Sequence, residues 1–143
     1  MARNHYAVLG LGSFGAKLAV ALARAGNTVL VVDIDQQRVD DLRDKVTEAI
    51  IADVSNEEVV RELNVRKFDA VILGMSSHFE DQVLALTLLK QEGVRKVIVK
   101  ANTTIQERIL FRLGADEVFQ PEQDVAERLA RRLTMDNITD LFE

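Results

Sequence analysis

Short apolar segments alternate with longer amphipathic segments along almost the whole chain. The apolar segments are runs of Val, Ile and Leu of strand length, typical of strands that are buried on both faces. The longer segments have apolar residues three and four positions apart, as at Ile105, Ile109 and Leu110, which is the helical period. This alternation predicts βαβ units, and therefore a parallel sheet with helices on both faces.

The predicted strands are 6–9, 29–32, 48–51, 70–73, 96–99 and 117–119. The predicted helices are 16–25, 36–45, 56–63, 80–91, 104–113 and 122–133. Because connections between parallel strands are right-handed, we expect the strand order 3-2-1-4-5-6, with a ligand crevice at the carboxyl ends of the first and fourth strands. The expected fold class is α/β, a single doubly wound, Rossmann-like domain with six parallel strands.

Several predicted helices have recognisable ends. Three helix starts fit the capping box, in which two side chains satisfy backbone N–H groups reciprocally: Ser55…Glu58, Ser77…Glu80 and Thr103…Gln106. Gly26 and Gly93 follow helices where a left-handed residue ends the last turn. Pro121 is expected to open the last helix.

Gly10, Gly12 and Gly15 form a G-x-G-x-x-G turn between the first strand and the first helix. The pattern is weak alone, but here it precedes Asp33, an acidic residue 21 positions after Gly12 at the end of the second strand. Gly10 permits the tight turn, Gly12 lets the backbone approach a pyrophosphate, and Gly15 lets the helix pack on the strand. The turn predicts a site for a dinucleotide or an adenine nucleotide; the alternative is a tight turn without a ligand.

Acidic residues follow the second and third strands, where the sugar and base of a bound nucleotide would lie. Asp33 would accept hydrogen bonds from the ribose hydroxyls, and its charge would repel a 2′-phosphate, so NADP is expected to be rejected. The alternative for Asp33 is a solvated residue at a strand end. Asp35 is expected to cap the next helix. Asp53 would accept from the exocyclic amine of adenine, and Val54 would cover a face of the ring.

A small polar turn follows the fourth strand at the mouth of the crevice. Met75 and Ser76 are expected beside the ribose or the phosphates, whereas Ser77 is first of all a helix cap. His78 is expected to be an exposed loop residue, because no partner at a motif-like spacing orients it as a catalytic base. Lys100 ends the fifth strand on the same rim, and either reaches a phosphate or is a surface lysine.

The composition narrows the classes of partner. A chain of 143 residues with 48% apolar and 29% charged residues is typical of one globular domain. The net charge of −5 is spread along the chain without a basic run, so a nucleic-acid partner is not expected. The absence of cysteine excludes disulfides and thiolate chemistry. Every apolar run, that at 70–73 included, is far short of the about 20 residues of a membrane span. We therefore expect a cytoplasmic domain that meets a membrane only through a partner.

The motif residues together resemble the N-terminal lobe of the regulator-of-potassium-conductance domain (TrkA N-terminal type), the cytosolic gating module of the Ktr and Trk potassium-uptake systems. The resemblance spans residues 1–143. It rests on AVLGLGSFG at 7–15, VVDID at 31–35, ADVSNE at 52–57, VKA at 99–101, and LGAD at 113–116 with PE at 121–122. The phenylalanine in the glycine turn and the LGAD…PE pattern distinguish this family from general dehydrogenases.

The resemblance implies a homo-oligomer, a dimer that assembles into a ring of eight domains, on the cytoplasmic face of a membrane potassium-translocating subunit. Exchange of ATP for ADP, or binding of NAD(H), would change the shape of the ring and so open or close the ion path; AMP and a divalent cation are further expected ligands. Ser13, Phe14 and Ile34 are counted in the expected nucleotide site. Members of the family usually continue into a second lobe, which this sequence does not include, so residues 1–143 are expected to form the nucleotide-binding lobe alone.

Ser13 and Glu122 bear on which nucleotide and which cation the resemblance implies. In Ktr-type members an arginine commonly takes the place of Ser13 and reaches the γ-phosphate of a nucleotide on the neighbouring subunit, and serine has neither that reach nor that charge. This difference favours ADP, AMP or NAD(H) over ATP, unless Arg3, Lys100 or another cation supplies the charge. Glu122 falls where the family has a glutamate that helps to hold a divalent cation near the dimer interface, although the helix dipole also explains an acid there.

The apolar surfaces of two predicted helices indicate that the domain assembles with other subunits. The segment 83–89 is apolar nearly all round its helix, which indicates either a covering partner or deep burial. Helix 122–133, with Val125, Leu129 and Leu133 on one face, resembles the family's crossover helix between subunits.

The alternative functions are the cofactor domain of an NAD-dependent oxidoreductase and an NAD-sensing regulator of another process. Hydride transfer needs a substrate pocket and an acid or base, and this sequence is expected to be too short to build them.

Overall fold

The computed structural model describes residues 3–75 and 78–142, the last six of these by their backbone only. The strands are β1 (His5–Leu9), β2 (Thr28–Asp33), β3 (Glu48–Ile51), β4 (Ala70–Leu73), β5 (Val97–Lys100) and β6 (Glu117–Phe119). The helices are α1 (Ser13–Arg24), α2 (Gln36–Leu42), α3 (Glu57–Leu63), α4 (Phe79–Gln91), α5 (Thr104–Arg112) and α6 (Pro121–Phe142). A 3₁₀ turn, Val65–Lys67, precedes β4.

The sheet has six parallel strands in the order β3-β2-β1-β4-β5-β6, which confirms the predicted topology. Leu9, the last residue of β1, is in register with Val32 of β2 and Leu73 of β4. The carboxyl ends of these three strands therefore meet at one edge of the sheet. Successive strands are added on one side of β1 up to β3 and on its other side from β4 onward. The point between β1 and β4 is thus the topological switch point, where ligands of such folds bind.

Two apolar layers lie on opposite faces of the sheet. Leu9 belongs to the layer under α3, α4 and α5, together with Leu86 and Leu110. Val8 points to the other face and belongs to the layer under α1 and α2, which includes Val39. Neighbouring residues of β1 thus enter different layers, because successive side chains of a strand alternate between faces. The doubly wound prediction is confirmed.

The structure describes two of the three helix starts that were predicted to have capping boxes. Asn56, not Ser55, caps α3, since its side chain accepts from Glu58 N at 2.9 Å. The Ser55…Glu58 prediction is wrong because the Ser55 hydroxyl instead donates to Asp53 Oδ1, two residues earlier, at 2.6 Å. Thr103 caps α5 by accepting from Gln106 N at 3.2 Å, as predicted, but the Gln106 side chain accepts from Asn102 N at 3.3 Å, one residue before the expected donor. Ser77, the third predicted cap, lies outside the described residues.

The last helix is longer than the sequence pattern predicts and leaves the body of the domain. The prediction ended at residue 133 because the apolar stripe ends there, but α6 continues to Phe142. Pro121 opens the helix, as predicted. Every side chain from Glu122 to Asp136 is exposed. The stripe of Val125, Leu129 and Leu133 therefore does not enter the core of this domain.

The helices α4 and α5 are buried on one side only. Ala85, Leu86 and Leu89 of α4 are fully buried, whereas Leu84 is exposed. The burial alternative for this helix thus accounts for one side of it and leaves Leu84 unexplained. In α5 only Leu110 is fully buried. The other apolar residues of its predicted stripe, Ile105 and Ile109 among them, are exposed.

On the α1 side, the described helices leave part of the sheet uncovered. An apolar groove of about 460 Å³ lies beside α1 over β4, β5 and β6, and Leu18, Ile72, Ile98 and Phe119 line it. Phe14 also lines this groove, with its ring centroid 4.8 Å from that of Phe119. Strands of parallel sheets are normally covered on both faces. Among the described helices, none has the length and apolar character of a membrane span.

Candidate nucleotide site

Two glycines of the G-x-G-x-x-G turn are required by packing inside the domain. Gly10 has φ +96°, and a Cβ at this residue would lie 2.5 Å from the backbone nitrogen of Met75. A Cβ on Gly15 would overlap the carbonyl oxygen of Gly10. Gly74, after β4, also approaches that oxygen, with a Cβ position 2.7 Å away. The turn, the start of α1 and the loop after β4 are thus in direct backbone contact.

Gly12 is the glycine that packing does not explain. Its φ of −65° suits any residue, and it serves as the N-cap of α1. A Cβ on Gly12 would meet no protein atom within 4 Å. The open space adjoins the first turn of α1, where the N–H groups of Ser13, Phe14 and Gly15 have no acceptor within the helix. Free N–H groups and the positive end of a helix dipole favour an anion at this place.

Asp33 connects the glycine turn to the end of β2. It is only 8% exposed, and its Oδ2 accepts from Leu11 N at 2.7 Å. Its Oδ1 accepts from Asp35 N at 2.8 Å, and Arg38 Nη1 lies 3.9 Å from Oδ2. The alternative of a solvated strand-end residue is therefore wrong. A carboxylate has about four acceptor positions, so both oxygens can accept further hydrogen bonds from a ligand.

A cleft of about 250 Å³ opens beside Asp33 at the carboxyl edge of the sheet. Six of the predicted site residues line it: Gly10, Asp33, Ile34, Asp53, Val54 and Met75. The cleft thus joins residues from the ends of β1, β2, β3 and β4. Asp53 faces the cleft while its Oδ1 accepts from the backbone nitrogen and hydroxyl of Ser55. Val54 belongs to the core as well as to the cleft wall.

The other predicted site residues lie elsewhere. The ring of Phe14 packs against Phe119 in the groove on the α1 face, so only the backbone of Phe14 is available at the turn. Lys100 and Glu122 line a separate polar pocket of about 170 Å³ at the ends of β5 and β6. Ser76 lies outside the described residues. Within the described part of the chain, no cluster of three or more His, Asp or Glu side chains is arranged to hold a metal ion.

Sequence reasoning missed three residues at this edge of the sheet. Arg38 lines the cleft from α2, and its position five residues after Asp33, in the first turn of the helix, is a signal that could have found it. Asp81 lines the cleft from the first turn of α4. Gln82 is fully buried, and a single amide on an otherwise apolar helix face is the only sequence signal for it. His78 is exposed, as expected, but it also lines the cleft.

The sheet order, the glycine turn and the acidic end of β2 define a Rossmann-like domain. The TrkA-N domain family matches residues 6–121, and the chain belongs to that family. It is 34% identical over 141 residues to the Ktr system potassium uptake protein C of Bacillus subtilis, covering 99% of this chain and 64% of that protein. It is 38% identical over 130 residues to the Ktr system potassium uptake protein A of Vibrio alginolyticus, covering 91% of this chain and 59% of that protein. The chain thus spans about three fifths of these relatives.

Solved structures have the same fold. The NAD(P)-binding domain of an exopolyphosphatase-related protein from Archaeoglobus fulgidus superposes with a TM-score of 0.80 at 25% identity, covering 93% of this chain and 99% of that one. The Kef CTD of Shewanella denitrificans in its AMP-bound form superposes with a TM-score of 0.76 at 16% identity, covering 97% and 91%. The second likeness is one of fold alone.

Proposed function

We propose that this chain is the nucleotide-binding regulatory domain of a potassium-uptake system. An adenine nucleotide or NAD(H) binds across the glycine turn and the cleft, and the bound state gates a membrane potassium-translocating subunit. The single observation on which this rests is the open space at Gly12, next to the first turn of α1 and two residues after Gly10, which lines the cleft. Family membership and the Ktr relatives support the regulatory role.

The cleft chemistry favours particular parts of the ligand. The phosphates lie in the open space at Gly12, against the N–H groups of the first turn of α1, and the free acceptor positions of Asp33 hold the ribose hydroxyls. The adenine ring lies over Val54 and Ile34, where Asp53 accepts from its amine. Ser13 adds no positive charge, so ADP, AMP and NAD(H) are favoured over ATP. The AMP of the Kef domain and the NAD(P) of the Archaeoglobus domain are ligands of the same two classes.

The domain assembles with copies of itself. Both proposed contact surfaces are apolar: the exposed stripe of Val125, Leu129 and Leu133 on α6, and the groove beside α1. A dimer that buries both is the proposed unit of an eight-membered ring. Leu84 and Ile105, exposed on α4 and α5, supply further apolar surface for contacts between dimers. In such a ring, eight sites add small differences in nucleotide affinity between an open and a closed shape.

The ring lies at the cytoplasmic face of the membrane, held there by the potassium-translocating subunit. A divalent cation is a second proposed ligand. Glu122 lines the polar pocket next to Lys100, and a carboxylate with nucleotide phosphates is the oxygen donor set that Mg²⁺ prefers. Binding measurements with and without Mg²⁺ therefore belong to the test.

Gly12→Ala is the sharpest test of the site. The added methyl group meets open space at an ordinary φ, so the free energy of unfolding without ligand should not fall. The same methyl group blocks the approach of a phosphate, so calorimetry should show ADP, AMP and NAD(H) binding at least about tenfold more weakly, a loss of about 1.4 kcal/mol. In the unmutated protein, ligand at 100 times its dissociation constant should raise the free energy of unfolding by about 2.7 kcal/mol.

Two results would contradict the proposal. One is an unmutated protein that binds none of ATP, ADP, AMP, NAD and NADH. The other is a Gly12→Ala variant that binds them as tightly as the unmutated chain, since Gly12 would then be only part of a turn. The gating step is tested with the full chain and a Ktr-type membrane subunit in proteoliposomes. There, exchange of the bound nucleotide should change the potassium flux.

A further inference from the structure

Gln82 is a buried amide on the apolar side of α4. It is 1% exposed and lies one turn before Ala85 and Leu86, which are fully buried. Burying an amide costs free energy unless its hydrogen-bonding groups are satisfied. A leucine or methionine at this place would avoid that cost. We therefore look for the role of the amide in the groups to which it is hydrogen-bonded.

The amide joins the carboxyl ends of two adjacent strands. Its nitrogen, Nε2, donates to the carbonyl oxygen of Met75, just after β4, and to that of Lys100, the last residue of β5. β4 and β5 are hydrogen-bonded to each other only up to Leu73 and Val99. Gln82 therefore links the two strands beyond the last residues that pair in the sheet, at the point where β4 and β5 separate.

The two residues held by Gln82 belong to different pockets. Met75 lines the cleft beside Asp33, and its backbone nitrogen lies against Gly10, at the place a Cβ would need. Lys100 lines the polar pocket that also contains Glu122. One side chain thus fixes the position of the polar pocket relative to the glycine turn.

We propose that Gln82 is a positioning residue for the phosphate end of the nucleotide. It holds the end of β5 so that the ammonium group of Lys100 faces the phosphates, and it holds Met75 against the glycine turn. Gln82 does not itself touch the ligand. This inference rests on the proposed function, because it needs a nucleotide in the cleft.

The requirement is for two donors on one nitrogen. Methionine has nearly the same length and no donor, so Gln82→Met leaves both carbonyl oxygens without this partner. Asparagine keeps the two donors on a side chain shorter by one methylene, so Gln82→Asn should preserve part of the bridge. Gln91→Met is the matched control, since Gln91 is an exposed residue of the same helix that donates to Glu57 Oε1 at 2.9 Å.

The test compares ADP with adenosine, which has the same base and sugar but no phosphate. Gln82→Met should weaken ADP about tenfold, as expected for a misplaced charge-assisted contact, and adenosine by less than about threefold. Gln91→Met should change neither affinity. Equal losses for ADP and adenosine in Gln82→Met would overturn the proposal, because a general loosening of the fold does not discriminate between them.

A double-mutant cycle with Lys100→Ala tests the position of the ammonium group directly. In the unmutated chain, Lys100→Ala should weaken ADP about fivefold; in Gln82→Met it should weaken ADP by less than about twofold, because the contact is already lost. Additive effects would overturn the proposal, as would an unchanged ADP affinity in Lys100→Ala alone.

Failure of folding and failure of the proposed function are both distinguishable from failure of this inference. If Gln82→Met does not give a cooperative thermal transition, Gln82→Asn takes its place in the cycle, with a smaller loss for ADP and the same indifference to adenosine expected. Equal losses for the two ligands in Gln82→Asn would again overturn the proposal. If the unmutated chain binds ADP but the cycle shows no coupling, this inference falls and the nucleotide site stands. If the unmutated chain binds no nucleotide, both fall.

Discussion

Asp33 lies where the glycine turn, the end of β2 and the start of α2 meet. Its two oxygens accept from two different backbone donors, Leu11 N and Asp35 N. An asparagine at this position would have to present an N–H group to one of those N–H groups. The isosteric change is thus less conservative than it looks, because it affects the turn before any ligand binds.

Asp33→Asn should lower the free energy of unfolding by about 1–3 kcal/mol, the usual cost of leaving a buried donor without its acceptor. Urea denaturation without nucleotide measures this loss. Asp44→Asn, at an exposed position after α2, is the control and should change stability by less than about 0.5 kcal/mol. Equal stability of Asp33→Asn and the unmutated chain would mean that Asp33 serves a ligand only.

In the proposed nucleotide site, Ser13 is expected to influence the choice among adenine nucleotides. It is exposed at the start of α1 and brings no charge to the turn. Ser13→Arg should tighten ATP relative to ADP about tenfold, since a charge-assisted contact to a terminal phosphate contributes about 1.5–3 kcal/mol. Competition calorimetry measures the ratio. Ser13→Gln, long but uncharged, should leave the ratio of the ATP and ADP affinities unchanged. Equal gains for ATP and ADP in Ser13→Arg would contradict this prediction.

The elements of the fold differ in how far the sequence predicts them. The strands and their order followed from apolar period and crossover handedness, and they are confirmed within two residues at each end. The start of α1 at Ser13 was missed by three residues, because the glycines hide the helical period. Ser55 was mistaken for a cap because the sequence does not reveal that its hydroxyl bonds Asp53.

The site was predicted as a set of positions but not as an arrangement. Asp33, Asp53 and Met75 meet in one cleft because strand ends of a parallel sheet share an edge, which spacing alone predicts. The direction of the Phe14 ring depends on Phe119, about a hundred residues away in the sequence. Contacts over such separations are not visible in any local pattern. Gln82 bonds residues only 7 and 18 positions away, but the choice of those two carbonyl oxygens depends on how β4 and β5 separate at their ends.

The junction of β1 with α1 depends on close backbone contact at Gly15. Alanine is intrinsically better than glycine in a helix by about 1 kcal/mol, but here its Cβ would overlap the Gly10 carbonyl. Gly15→Ala should therefore lower the free energy of unfolding by about 1–3 kcal/mol, the cost of overpacking. Urea denaturation of Gly15→Ala beside Gly12→Ala separates the two glycines. A Gly15→Ala variant more stable than the unmutated chain would show that α1 can move away from the turn.

At the scale of the whole fold, the described helices form an incomplete outer layer over the sheet. The helices α1 and α2 leave the groove over β4, β5 and β6 open, while α6 extends outward with Val125, Leu129 and Leu133 exposed to 60%, 43% and 53%. The three residues are four positions apart, so they lie on one face of the helix. Exposed apolar surface on both the groove and the helix favours association between copies of the chain.

Leu129→Glu should shift the domain from a dimer or larger assembly to a monomer, because it places a charge in the middle of the apolar stripe. Sedimentation velocity at micromolar concentration measures the change. Thr134→Glu is the matched control: it adds the same charge to the same helix, well off the stripe, and should leave the assembly intact. Leu18→Glu, in the groove, should act like Leu129→Glu if the stripe and the groove are partners. A monomeric unmutated chain at high concentration, or dissociation by Thr134→Glu as complete as by Leu129→Glu, would contradict this assignment of the interface.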